Sequence, residues 1–189
     1  MAKLFLVFGT SGAGKSTVLT GIRSAKTVTI GSEMQRVYAN RFGIKDRDLI
    51  RKKSLTVYDE MVIIRNAILK RLSGAPGTTI IDTHASVKTG NSYIMGLSMR
   101  DFDVLRGKVK AIIYIDADTQ QIMARRKRDK TRKRENDTAE ELDRWRNINL
   151  ICTMLYSLYL QVPVHTVQNP DGGLSAARKQ VNEIIKGTK

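Results

Sequence analysis

Cysteine is almost absent from this sequence: Cys152 is the only one among 189 residues. That excludes a disulfide framework and any metal site built on cysteine pairs. Cys152 lies in an apolar helical stretch and reads as a buried thiol in a reducing cytoplasm. No apolar run approaches the roughly 18 residues of a membrane span, and the short apolar N-terminus leads straight into a glycine-rich loop, so neither an anchor nor a secretion signal is expected. An Asn-Lys-x-Asp guanine-reading segment is missing too, which argues against a Ras-like GTPase. Acidic residues are scarce, 18 against 33 lysines and arginines, for a net charge of +15. Such an excess implies acidic partners, whether nucleotides, nucleic acid or both. The length suits one well-buried domain, residues 1–189, and is too short for two ordinary ones.

What is present is a phosphate loop. Gly9-Thr10-Ser11-Gly12-Ala13-Gly14-Lys15-Ser16-Thr17 fits G-x-x-x-x-G-K-[ST] at every fixed position. It follows the apolar run Leu4–Phe8 and precedes a helix-like segment, the context the motif requires. A polyphosphate can lie against bare backbone N–H groups only where side chains are missing, which is the use of the glycines. A helix starting near Lys15 adds its unpaired N–H groups and positive dipole end, Lys15 brings a point charge to the terminal phosphates, and the Ser16 hydroxyl suits Mg²⁺.

Along the chain, short β-branched or apolar runs alternate with helical patterns. Strands are expected at Leu4–Phe8, Thr27–Ile30, Thr78–Ile81, Lys110–Ile115 and Pro163–Val167. Helices are expected after the phosphate loop, from Ser32 as N-cap to Gly43, over Lys45–Lys52, Ser54–Leu72 and Asp116–Arg128, from Thr138 onward, and from Leu174 to Lys186. Ala85–Ser98 shows no periodicity and is expected to be a loop. This order predicts an α/β fold, a five-stranded parallel sheet with helices on both faces. Ligands bind such sheets at the carboxyl ends of the strands. The phosphate loop, Gly31-Ser32-Glu33, Asp82-Thr83-His84, Asp116 and the loop after Val167 therefore share one edge.

Asp82, at a strand end, either holds Mg²⁺ opposite Ser16 or simply caps the next segment, and Asp116 competes for the metal role. His84 is not needed as a base where the acceptor is an anionic phosphate; its ring lies in the acceptor pocket or pairs with backbone. Residues 125–134 hold eight basic side chains among ten. They form a solvated surface, a nucleic-acid patch that contacts RNA, or a lid that brings arginines to the transferring phosphoryl group. Arg51 and Lys88 lie on the two segments that would wall a second phosphate pocket.

The phosphate loop, Gly31-x-x-Met34, Asp46-Arg47-Asp48 with Arg51-Lys52, Ile81-Asp82-Thr83-His84, Lys88-Thr89 and the run Arg125–Arg134 occur in an order that resembles the archaeal type of adenylate kinase, over nearly the whole chain. The resemblance implies a P-loop NTPase fold with an AMP-binding segment (about 31–73), a short arginine lid (about 125–138) and often a trimer. It implies ATP phosphates on Gly12–Thr17 with Lys15, lid contacts from Arg128, Arg132 and Arg134, Mg²⁺ near Ser16 and Asp82, and AMP near Gly31, Arg51 and Lys88. The family usually carries a Gly-Tyr-Leu-Pro-Gly-Leu-Pro stretch where this chain has Ser92–Ser98, so that loop is expected to be less preordered. The activity implied is ATP + AMP ⇌ 2 ADP with Mg²⁺. Two other readings stand beside it: a kinase of small hydroxyl metabolites, with Glu33 as the candidate base, and an RNA-associated ATPase whose binding falls steeply with salt.

Overall fold

Alternate residues of the first strand serve two different cores. Leu4, Leu6 and Phe8 pack into one apolar cluster and Phe5 and Val7 into another, so this strand is buried on both faces. In the computed structural model, which describes residues 3–43, 58–129 and 137–188, that strand, β1 (Lys3–Phe8), is the middle of a five-stranded sheet. Its companions are β2 (Lys26–Thr29), β3 (Thr78–Asp82), β6 (Val109–Asp116) and β7 (Val164–Gln168), in the order β2-β3-β1-β6-β7, with every pairing parallel. The register sets Thr29 and Val7 beside Asp82, Phe8 beside Tyr114, and Asp116 beside Gln168. All the strand ends that carry polar residues thus meet along one edge.

Helices α1 (Lys15–Thr20) and α7 (Leu174–Gly187) cover the face of Phe5 and Val7, through Val18, Leu19, Ala177 and Val181. The opposite face is covered by α2 (Ile30–Phe42), α3 (Tyr58–Gly74), α4 (Met99–Leu105) and α6 (Ala139–Leu160). Helix α5 (Thr119–Arg128) joins α6 in a small third cluster of Ala13, Ala117, Ile122, Leu142 and Trp145, under the phosphate loop. Thr138 caps α6 with a reciprocal Thr138–Glu141 box, as its sequence position suggests. Cys152 is buried in α6, and burial pushes its thiol pKa upward. Among the described residues, no helix is long and apolar enough to cross a membrane.

Three expectations need correction. The second strand stops at Thr29, and α2 begins at Ile30 rather than after Ser32. Ile30 is buried together with Met34 and Tyr38, one every four residues, so the inward stripe of the helix begins with it. Residues 85–98 are not a loop. They hold β4 (Ser86–Thr89) and β5 (Ser92–Met95), an antiparallel hairpin turned by Gly90-Asn91, with Gly90 at φ 57°, where glycine is strain-free. The segment from Met99 to Leu105, for which the sequence pattern predicts no element, is a helix started by a Ser98–Asp101 capping box. The helix expected over Lys45–Lys52 lies outside the described residues, as do residues 54–57.

Candidate functional site

The edge of the sheet opens into a cleft of about 360 Å³, lined by the phosphate loop (Ser11, Gly12 and Gly14–Thr17), by Thr29 and Gly31, by Asp82, Thr83 and His84, and by Arg125 and Asp129. The phosphate loop runs from β1 into α1. Gly14, at φ 88° in the left-handed region, is the N-cap of α1 and brings no side chain to cap its first turn. A helix start of that kind presents backbone N–H groups to phosphate. Lys15 is 9% exposed, and its ammonium donates to the Gly9 carbonyl at 2.7 Å, folded along the loop it would serve. Ser16 and Thr17 are exposed at the mouth.

The loop is held from beneath. Asn169, just past β7 and 5% exposed, donates from Nδ2 to the Ala13 carbonyl at 2.9 Å, while its own N–H reaches Asp116 O. Arg125 donates to the same Ala13 carbonyl at 3.3 Å and to Asn169 O at 2.8 Å, and Asp171 fixes its guanidinium at 2.6 Å. The loop's peptide planes are therefore oriented before any ligand arrives. A Cβ at Gly14 would stand 2.4 Å from Asn169 Nδ2, so the same support leaves room for hydrogen only.

On the other wall, Asp82 is 5% exposed and accepts from the Thr29 hydroxyl at 3.2 Å. This engagement explains why Thr29, at the N-cap of α2, makes no side-chain cap bond. Asp116 is not available in the same way: Arg146 grips it with two bonds, 3.2 and 2.7 Å. Tyr114, beneath, has its phenol pushed up to about 12 by burial. It is a neutral hydrogen-bonding group at any working pH.

The structure brings together Gly12, Gly14, Lys15, Ser16, Thr17, Gly31, Asp82 and His84 on one cleft. Thr10 and Ala13 are buried behind the loop, and Ser11 lines the cleft. Lys88 is not on its lining. Its ammonium pairs with Asp137 at 2.5 Å, and that hydrogen bond raises its pKa above the usual lysine value. Arg128 is 69% exposed and sits 3.9 Å from Asp171. Arg51, Arg132 and Arg134 lie outside the described residues, as do residues 130–136 of the expected lid. Glu33 pairs with Arg71 and Arg36, and the Arg71 hydrogen bond holds its carboxyl below the usual range. The sequence pattern does not single out Thr29, Asn169 or Asp171, and it leaves Arg125 undistinguished among its basic neighbours.

Comparison with known proteins gives a consistent placement. A family model described as an AAA domain matches residues 8–143. The adenylate kinase of Pyrobaculum aerophilum is 34% identical over 142 residues, 73% of this chain and 70% of that one. Those of Thermoplasma acidophilum and Pyrococcus horikoshii are 30% and 31% identical; each alignment takes in at least 95% of both chains. Among solved structures, shikimate kinase from Acinetobacter baumannii in complex with shikimate superposes with a TM-score of 0.61 at 16% identity, covering 99% of this chain and 95% of that one. Deoxyadenosine kinase from M. mycoides gives 0.59 at 16% identity, covering 97% and 99%. At that identity the likeness concerns the fold, which is that of P-loop kinases.

Proposed function

The chain belongs to the adenylate kinase family, and from that membership we propose how its cleft moves a phosphoryl group from ATP to AMP. The enzyme is a nucleoside monophosphate kinase, and one observation carries the residue assignment: a preoriented phosphate loop faces Asp82, Thr83, His84 and Gly31 across a single cleft. The backbone N–H groups of Gly12–Thr17 hold the donor's terminal phosphates. Lys15 exchanges the Gly9 carbonyl for a phosphate oxygen and follows the charge as it moves. AMP lies against the wall of Gly31 and His84, with Arg51 at its phosphate. No base is required, because the attacking phosphate oxygen is already anionic. Catalysis is then alignment plus charge stabilisation, with Arg128, Arg132 and Arg134 supplying cations to the equatorial oxygens.

Lys88 is the residue whose expected place fits least well, since in this arrangement its charge is committed to Asp137. A phosphate would have to displace that carboxylate to reach it. The Ser16 hydroxyl and the Asp82 carboxylate are hard oxygen donors on one cleft, and they fit Mg²⁺. Among the described residues no three His, Cys, Asp or Glu side chains could hold a metal between them. With two protein oxygens, an ion there would keep several of its waters and share substrate phosphate oxygens. When bound it offsets negative charge on those phosphates.

The hydroxyl-kinase alternative loses support, because Glu33 is held ionised by two arginines and is not on the cleft lining. Self-association is supported by α6, which exposes Leu150, Ile151, Met154, Leu155 and Leu158, the last at 73%. Light scattering on the purified chain checks the homo-oligomer, with a trimer expected.

A panel of monophosphates, sugars and hydroxy acids offered with ATP tests the assignment. Rapid turnover of AMP is expected, with Lys15→Ala about 10²–10³-fold slower in kcat. Undiminished ADP formation by Lys15→Ala would refute the mechanism.

A further inference from the structure

A buried amide outside the cleft touches both of its walls. Asn149, in the middle of α6 and 2% exposed, donates from Nδ2 to the Thr10 hydroxyl at 3.1 Å. Its Oδ1 accepts from both the Ser86 N–H at 3.0 Å and the Ser86 hydroxyl at 2.8 Å. Thr10 is the second residue of the phosphate loop, and its carbonyl accepts the Ala13 N–H that closes the loop's turn. Ser86 opens β4, two residues past His84 on the opposite wall. The Trp145 indole, one helical turn before Asn149, donates to the Ser86 hydroxyl at 3.1 Å. Every bond here is buried, where a broken hydrogen bond is costly and geometry is tightly fixed.

We propose that Asn149 is a positioning residue for phosphoryl transfer: by bonding Thr10 with one end of its amide and Ser86 with the other, it fixes the separation of the donor loop and the acceptor wall. The inference rests on the kinase reading of the cleft. An amide suits the task because it offers a donor and an acceptor on one rigid group, matched to a hydroxyl on one wall and an N–H with a hydroxyl on the other. Leucine has similar bulk and neither function. The packing that surrounds Asn149 would keep the helix in place, while the two walls would lose their common tie. Transfer between two bound nucleotides is sensitive to such a loss, since a misplacement of about 1 Å can cost roughly 10²-fold in rate.

The test is a kinetic cycle with a spectroscopic control. Thr10→Val and Ser86→Ala each delete one hydroxyl of the tie; the two are combined, and Asn149→Leu is made separately. Asn149→Leu is expected to lower kcat at least about tenfold while the KM values for ATP and AMP stay within about threefold, the pattern of a loss felt in the transition state. The Thr10→Val/Ser86→Ala pair is expected to lose no more than Thr10→Val alone, because Thr10→Val already severs the bridge, whereas Ser86→Ala by itself leaves the Ser86 N–H on Oδ1. Multiplying losses would overturn the proposal, as would kcat values unchanged in all four variants. Should Asn149→Leu fail to fold, the two hydroxyl deletions decide alone.

Trp145 is the only tryptophan of the chain, so its emission reports this network. ATP alone, added to the saturation that equilibrium dialysis gives for each protein separately, is expected to shift that emission in the native protein and not in Thr10→Val. An equal shift in both proteins would overturn the proposal. A native protein that shows the shift but no AMP-dependent turnover would instead count against the kinase reading.

Discussion

Replacing Gly14 by alanine strains two parts of the structure at once. At φ 88° the residue is in the left-handed region, which costs an L-residue about 1–2 kcal/mol. The new Cβ would also stand 2.4 Å from Asn169 Nδ2. Asn169 must then turn away and give up its 2.9 Å bond to the Ala13 carbonyl, a buried hydrogen bond worth about 1–3 kcal/mol when broken. Together these make about 2–5 kcal/mol, and at about 2–4 °C per kcal/mol for a chain of this size the Tm should fall by about 4–20 °C. The same movement shifts the loop N–H groups, so kcat/KM for ATP should drop by roughly 10²-fold, measured by coupled ADP detection. Asn169→Ala removes the collision but keeps the backbone strain, so the double variant should lose less than the two single losses combined. A Gly14→Ala protein with native Tm and kcat/KM would show that the loop is not braced as described.

Other consequences are independent of that glycine. Arg65 and Asp101 form an ion pair at 2.7 Å with side chains 7% and 0% exposed, and Asp101 also caps α4 through Ser98. Arg65→Met strands that carboxylate and should cost about 3–5 kcal/mol in urea unfolding, whereas Arg65→Met/Asp101→Leu should recover part of the loss. Burial raises the Cys152 pKa, so in the folded protein the thiol stays protonated at pH 8 and should alkylate far more slowly than in urea. Because the folded pKa lies above the unfolded one, this group contributes stability that is complete below the unfolded pKa and is lost as pH rises through the folded pKa. Equal alkylation rates in buffer and urea would contradict it. Arg125→Met removes two bonds to the loop and its flank and should raise the KM for ATP several-fold with the fold intact, as judged by circular dichroism and steady-state kinetics.

The sheet was legible because its strands are nearly continuous apolar runs flanked by turn residues, a signal that survives without knowledge of the partners. The phosphate loop was legible because its chemistry admits few residue types. The β4–β5 hairpin was not, since Ser86–Met95 is half-exposed and carries no strong alternation; the Gly90-Asn91 turn was the one local signal. Helix α4 announced itself only through the Ser98–Asp101 spacing of its capping box. Among site residues, Asn169 and Arg125 act by supporting Ala13 from distant parts of the chain, and no periodicity encodes that meeting. Lys88 looked like a phosphate ligand by position, but its ion partner Asp137 is 49 residues away and invisible to any local pattern.

The most direct measurement tracks the label of ATP carrying a radioactive γ-phosphate through one turnover with AMP. If the cleft lines up two nucleotides for direct transfer, the label appears in ADP, in proportion to AMP consumed, and free phosphate stays at background. Label released as inorganic phosphate, at a rate indifferent to AMP, would contradict the account.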